Sequence, residues 1–282
     1  MRTVLLIGAA GFVGRQILKT LSGKEVKIRS VVRSGKESAF TEIPNVERVI
    51  SSPDIFMENY EWWAKQCAGV DIVIHTAWYV EPGRYLQSPL NMNCLIGSLN
   101  LVKGALMAGV KRFIGVGTCF EYDLSAGVLS IDTPLKPLSA YASAKAALYM
   151  SLVKSLPEQS VEFAWCRLFY LYGELEDERR LAPYIHRQLV RGETAELTSG
   201  RQIRDFMDVS EAGRIIGIVA LGSKQGPINI CSGVPITVQQ FAEKIADRYG
   251  RRDLLKFGAR PANFVDPQCV LGIPNHDVPE SS

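Results

Sequence analysis

Residues 3–14 read TVLLIGAAGFVG: a β-branched and apolar run, then Gly8, Gly11 and Gly14 at three-residue spacing. A buried strand ending on Gly8 can turn sharply, Gly11 lets backbone N–H groups approach an anion, and Gly14 lets the next helix lie close to the strand. A helix N-terminus also presents a favourable dipole to that anion. The same spacing serves a plain strand-to-helix turn, so the surroundings decide. Here the glycines open the chain and lead, through Phe12 and Val13, into FVGRQILKTL, which reads as a helix.

Outward from this unit, strand-like runs recur at Thr3 to Ile7, Val26 to Val32, Val46 to Ile50, Asp71 to His75, Arg112 to Val116 and Val161 to Cys166, with helix-like patterns between most of them. That alternation predicts right-handed crossovers and a parallel sheet covered on both faces. After Tyr172-Gly173 the texture changes to the charged GELEDERR and shorter mixed elements, including a strand-like INI at 228–230 and an amphipathic TVQQFAEKIADRYG. The expected fold is therefore α/β, a Rossmann-type doubly wound parallel sheet with a smaller mixed α/β C-terminal lobe. Residues 1–166 form the dinucleotide-binding domain, and 167–282 are mainly a substrate lobe, with some chain returning to the main sheet. The tail NHDVPESS reads as disordered or processed.

The 282-residue chain is 47% hydrophobic, enough to bury a sizeable core without staples. Its net charge of +3 is spread without a basic run, which argues against nucleic acid as a partner. No apolar stretch reaches the roughly 20 residues of a membrane span. No signal-peptide cleavage pattern follows the N-terminal run either, so a cytoplasmic protein is expected. The cysteines at 67, 94, 119, 166, 231 and 269 form no CxxC or Cys/His cluster, so neither a metal site nor a disulfide framework is expected.

The second strand ends VVRSGKE, placing Arg33 and Ser34 where an NAD-type site carries an acid for the ribose hydroxyls. A guanidinium pairs with a 2′-phosphate that a carboxylate would repel, so NADP(H) is preferred and NAD(H) is the alternative; a merely solvated Arg33 is the bland reading. Tyr141-Ala-Ser-Ala-Lys145 sets a phenol and an amine one helical turn apart. A positive charge there would lower the phenol's pKa towards neutrality, and the strand RFIGVGT exposes Thr118 at the same sheet edge to hold the oxygen that Tyr141 protonates. Taken alone, such a Tyr/Lys pair is usually just a helix surface.

With these residues in place the sequence resembles the extended short-chain dehydrogenases/reductases, in particular their nucleotide-sugar epimerase, dehydratase and reductase group. The resemblance runs from GAAGFVG to about Gly272, through Asp54-Ile55, DIVIHTAW, NMNCLIGSLNLVKGALMAGVKRFIGVGT, YASAK, RLFYLYG, RDFMDVSEAGR and NICSGVPITV. It implies an NAD(P)-dependent enzyme acting on a nucleoside-diphosphate sugar. It further implies that Asp54 and Ile55 lie against the adenine, that His75, Thr76 and Ala77 line the cofactor ribose and pyrophosphate, that Asn93 buttresses the active-site strand beside the cofactor, and that Lys145 also holds the nicotinamide ribose. Arg204, joined by Arg260, would meet the sugar diphosphate, although pairing of Arg204 with a neighbouring acid such as Asp205 is an equal reading of the residues alone. Relatives also imply a homodimer through helices at 86–108 and 137–155.

The departures choose among reactions. Dehydratases of this group carry an acidic pair just after the position of Thr118, where this chain has Cys119-Phe120. Arg33 points to a cofactor exchanged at each turnover rather than the tightly held NAD of an epimerase. Tyr170 stands where relatives commonly have an Asn that touches the sugar nucleotide, and Glu121 and Tyr122 are candidate contacts to sugar hydroxyls. The expectation is an NADPH-dependent reductase of a keto group, at C4, on a nucleotide-linked 4-keto-6-deoxy-hexose. A 4-epimerase is the alternative reaction. A non-catalytic NADP-binding regulator is the alternative of another class, and its function would survive replacement of Tyr141.

Overall fold

In the computed structural model, which describes residues 1–40, 43–261 and 266–276, the predicted strands form one parallel sheet of seven. These are β1 (Arg2–Ile7), β2 (Val26–Arg33), β3 (Val46–Ser52), β4 (Ile72–His75), β5 (Arg112–Thr118), β7 (Glu162–Leu168) and β11 (Gly226–Ile230), in the order β3-β2-β1-β4-β5-β7-β11. All six pairings are parallel, with Ile7 level with Val31 on one side and His75 on the other. Connecting helices include α1 (Phe12–Ser22), α2 (Tyr60–Cys67), α3 (Leu90–Met107) and α4 (Ala140–Glu158).

Both faces of the sheet are covered, which explains strands that are continuously apolar rather than alternating. Val4 and Leu6 pack with Ile17 and Leu21 of α1 and with Ile215 and Ile216 of α6 (Val209–Leu221). Leu5 and Ile7 point the other way, to Trp63, Leu101, Leu148 and Leu152 on α2, α3 and α4. The chain leaves β1 towards β3 and then returns to β4 on the opposite side. This reversal opens a crevice at the carboxyl ends of β1 and β4, the place where such sheets bind ligands.

The second sheet has the order β12-β10-β14-β6, with β8 paired to β10. Its strands are β6 (Val128–Leu129), β8 (Tyr170–Tyr172), β10 (Ile203–Asp208), β12 (Pro235–Thr237) and β14 (Cys269–Gly272), while β9 (Ala195–Glu196) pairs β13 (Leu255–Lys256). Helices α5 (Leu181–Arg191) and α7 (Val238–Asp247) share a small core through Ile185, Leu189, Phe241 and Ile245. The amphipathic stretch forms α7 behind a capping box, in which Thr237 Oγ1 accepts from Gln240 N and Gln240 Oε1 accepts from Thr237 N, both at 3.0 Å. Residue 166 falls inside β7 rather than at a border, and β11 and α6 carry the later chain back to the main sheet. Of the tail, residues 277–282 lie outside the described residues; Asn275 is tied in, its Oδ1 accepting from Asn229 N at 2.8 Å. Among the described residues no helix is long and apolar enough to cross a membrane.

Candidate active site

The glycine turn leaves no room for side chains. Gly8 sits at φ 87°, and a Cβ there would lie 2.6 Å from Thr76 Oγ1 and 2.9 Å from Ala77 N. A Cβ on Gly14 would lie 2.1 Å from Gly8 O, so α1 touches the end of β1 only because both positions lack one. Helix α1 starts at Phe12 with Gly11 as N-cap and no side-chain cap, so its first N–H groups have no capping side chain. Phe12 and Val13 are half-buried in that first turn. Thr76 lies beneath the turn, its Oγ1 donating to Ile7 O at 2.8 Å, and Ala77 is half-buried beside it.

Arg33 is the last residue of β2, level with Ser52, and both Arg33 and Ser34 are exposed. Asp54 is exposed and folds on its own turn, accepting from Phe56 N at 3.0 Å, while Ile55 packs against the core.

His75 departs from its expected place. Its side chain lies in the core between Phe56 and Phe113, 2.8 Å from Ser98 Oγ on α3. Ser98 gives its one proton to Cys94 O, so His75 Nε2–H is the donor. Burial, reinforced by the nearby Lys145 charge, pushes the imidazole down to about 3. Its side chain therefore faces the core and braces α3 against β4. Asn93 is likewise displaced: it is exposed on α3, and the buttress is Asn91 two residues earlier. Buried Asn91 accepts from Trp78 Nε1 at 2.9 Å and donates to Tyr85 O at 2.6 Å and Ser88 O at 2.9 Å, fixing the wall that follows β4.

The proposed proton chemistry converges at the end of β5. Ser139 caps α4, accepting from Ala142 N at 3.2 Å, so Tyr141 lies in the first helical turn and Lys145 one turn on. Tyr141 is buried under Tyr85 and Trp78, with ring centroids 4.9 Å and 6.5 Å away. Burial, with Tyr85 and Glu121 adding to it, holds its phenol well above the ordinary value, while the Thr118 hydroxyl pulls it down. Lys145 is buried, donates to Val116 O at 2.6 Å and stands 3.9 Å above the Trp78 ring. Burial lowers its amine to about 7, opposed by Glu121 and Cys94. The phenol is therefore raised rather than lowered as expected: burial dominates, and the amine is anchored to a carbonyl.

Two expected sugar contacts lie out of reach. Glu121 is fully buried, with Oε1 accepting from Thr118 N at 2.8 Å and Oε2 from Arg167 Nε at 2.7 Å and Trp165 Nε1 at 3.0 Å. Tyr122 is equally buried, donating to Asn229 Oδ1 at 2.8 Å and accepting from Arg167 at 2.9 Å. Both are spent on internal partners. The Cys119 thiol beside Thr118 is buried and pushed far up by desolvation.

In the lobe, Tyr170 stands between Phe120 and Phe206, with Arg204 5.2 Å from its ring. Arg204 is buried and ion-paired at 2.6 Å with Asp266, not with its neighbour Asp205, which accepts from Ser232 N, Gly233 N and Gly272 N instead. Arg260 is exposed and lies 4.6 Å from the Tyr184 ring, so these observations do not place it beside Arg204. The residue-by-residue reading missed Trp78, Tyr85 and Arg180, whose guanidinium sits 5.6 Å from the Tyr85 ring. It also missed Arg167, although a charge inside the apolar run EFAWCRL signals a buried acidic partner.

Residues 4–231 match the NAD dependent epimerase/dehydratase family, and the chain belongs to it. It is 24% identical over 277 residues, 95% of this chain and 98% of the relative, to the dTDP-6-deoxy-L-talose 4-dehydrogenase (NAD(+)) of Aggregatibacter actinomycetemcomitans. In fold it is similar to UDP-N-acetylglucosamine 4-epimerase from Methanobrevibacter ruminantium M1 in complex with UDP-N-acetylmuramic acid (TM-score 0.82, 23% identity, 97% and 89% of the two chains covered). It is also similar to UDP-glucose 4-epimerase from Thermotoga maritima with UDP-glucose (TM-score 0.80, 20% identity, 97% and 90% covered).

Proposed function

We propose that this chain is an NADPH-dependent reductase of a keto group, at C4, on a nucleoside-diphosphate 4-keto-6-deoxy-hexose. One observation carries the choice of reaction: the residues after Thr118 leave no carboxyl or thiolate free to abstract or return a proton at a neighbouring carbon. Cys119 is a buried thiol and Glu121 is locked against Arg167, so water elimination has no acid–base pair and hydride exchange at one carbon remains, with Arg33 favouring the exchanged NADPH of a reductase over the held cofactor of an epimerase.

The uncapped start of α1 would hold the pyrophosphate, Arg33 and Ser34 the 2′-phosphate, Asp54 and Ile55 the adenine edge, and Lys145 the nicotinamide ribose. When bound, NADPH supplies a hydride for the carbonyl carbon. Tyr141, kept protonated by burial, donates its phenolic proton to the carbonyl oxygen, and Thr118 orients that oxygen. Arg204 would bind the sugar diphosphate once Asp266 yields it, with Arg260 as a second cation. The talose dehydrogenase relative supports a 4-keto-6-deoxy substrate class, though its name gives NAD(+) as cofactor.

A 4-epimerase uses the same three residues, and the likeness to two 4-epimerase structures favours it as the second reading. Incubation with NADPH and a panel of nucleotide-linked 4-keto-6-deoxy sugars separates the two. A reductase consumes one NADPH per sugar reduced, whereas an epimerase turns over 4-hydroxy sugars with no added cofactor. No NADPH oxidation with any keto sugar ends the reductase assignment. We also infer a homodimer formed through α3 and α4.

A further inference from the structure

We propose that Glu121 is the positioning residue of this site, its buried carboxylate fixing the end of β5 and acting as the counter-charge that favours the protonated Lys145 amine against burial. Both groups are anchored to one three-residue stretch, 116–118. Lys145 Nζ donates to Val116 O at 2.6 Å, and Glu121 Oε1 accepts from Thr118 N at 2.8 Å. Gly117, between them, is where the parts meet: a Cβ there would lie 2.2 Å from Trp165 Nε1 and 2.4 Å from Glu121 Oε1. The Trp165 indole N–H donates to both carboxylate oxygens, at 3.1 and 3.0 Å, while its ring lies 6.0 Å from Lys145 Nζ.

Among the groups around the amine, Glu121 is the first to favour its charged form and Cys94 the second. His75 on β4 is neutral, its imidazole pushed down to about 3, and Cys94 on α3 is a thiol pushed up to about 11. Tyr141, one turn back on α4, and Cys119, next to Thr118, are both held in the protonated form by burial. Arg167 is a second buried cation, held between the Tyr122 and Tyr149 rings at 4.5 and 4.4 Å and paired with Glu121 itself. One carboxylate thus faces two buried cations. Burial and the carboxylate act on Lys145 in opposite directions, and the amine lies at about 7 with Glu121 present. Removing the carboxylate takes away the larger of the influences that oppose burial, which moves the amine further towards its neutral form. The effect on turnover rests on the reductase reading; the charge of Lys145 does not.

The test is a lysine-selective ¹³Cε NMR titration of the whole chain, with the Lys145 resonance identified by its loss in Lys145→Arg. The wild-type midpoint is expected near 7. In Glu121→Gln it falls by about 1 pH unit or more, the size an adjacent opposite charge commands. Because Glu121→Gln strands the buried Arg167 and can cost the fold, Glu121→Gln/Arg167→Met is titrated in parallel, with near-UV circular dichroism reporting native packing. A midpoint unchanged from wild type in either folded variant overturns the proposal, as does a wild-type midpoint at the ordinary lysine value of about 10.4. Fluorescence titration with NADPH at each pH separates the two readings: no NADPH binding at any pH defeats the reductase reading alone, while the lysine midpoints still decide the role of Glu121.

Discussion

Tyr141 has its phenol kept protonated by burial and, one helical turn away, an amine tied to a backbone carbonyl. That suits a group that gives a proton to an oxygen as it gains charge. Tyr141→Phe should lower kcat by about 10²–10⁴-fold with NADPH affinity unchanged, as read by NADPH absorbance and by fluorescence titration. A loss confined to KM would remove Tyr141 from the proton step. Arg33 argues differently, through charge at an exposed strand end. Arg33→Asp should weaken NADPH binding by about 10–100-fold, the worth of a charged hydrogen bond, and improve NADH relative to NADPH. Equal losses for both cofactors would show that Arg33 does not read the 2′-phosphate. His75 bears on stability rather than chemistry. Its imidazole is ordinarily protonated below about 6.5 but stays neutral in the fold down to about 3. Between these values the unfolded chain binds a proton that the native chain does not, so stability falls as pH falls through that window. From pH 6.5 to about pH 4 the wild type should lose about 1.4 kcal/mol per pH unit more than His75→Gln, measured by urea unfolding. Parallel slopes would mean that His75 titrates normally. None of this was readable from DIVIHTAW, where periodicity marks the strand but not which core atom the imidazole meets.

At the scale of elements, the sheet was legible because most of its strands are apolar runs rich in β-branched residues, and the observed strands differ from the predicted ones by a residue or two at their ends. The glycine turn was legible for the same reason: Gly8 and Gly14 are dictated by local backbone contact. Gly14→Ala brings a Cβ against Gly8 O, a backbone atom that cannot swing away, so α1 must shift. It should cost about 1–3 kcal/mol in chemical denaturation and weaken NADPH binding as well. Full stability with intact binding would show that the helix and the turn are less tightly joined than their contact requires. The loop after β5 was not legible, because its meaning lies in distant partners. Glu121 was expected to face the sugar on the strength of its nearness to Thr118, but Arg167, 46 residues on, draws the carboxylate inward. Asn93 was expected as the buttress from motif position; α3 turns Asn91 inward instead, towards Trp78. Sequence separation hides such pairs, whereas the capping box Thr118-x-x-Glu121, being local, gives itself away once the turn is seen.

For the whole molecule the open term is what covers α3. Its inner side packs through Leu101, Val102 and Ala105 on the sheet. Its outer side carries Met92, Ile96, Leu99 and Met107 at 59%, 53%, 40% and 60% exposure, spaced as one stripe along the helix. Met150 on the adjacent α4 is 61% exposed. A helix apolar on both sides is the pattern of one buried twice, and the inferred second copy would bury the stripe by a two-fold, self-complementary contact. The same two helices carry Asn91 and the Tyr141–Lys145 pair on their inner sides, so a dimer would stiffen the wall against which the phenol is held. Wild-type protein should therefore sediment at twice the 31.2 kDa chain mass, and Ile96→Glu/Met150→Glu should sediment as a monomer. Because a carboxylate on an exposed surface leaves the monomer's own core untouched, far-UV circular dichroism of that variant should match the wild type. Activity, if the wall depends on the partner, should fall with the dimer and return on raising protein concentration. A wild type that sediments as a monomer at micromolar concentration would leave the stripe to some other partner and overturn the dimer.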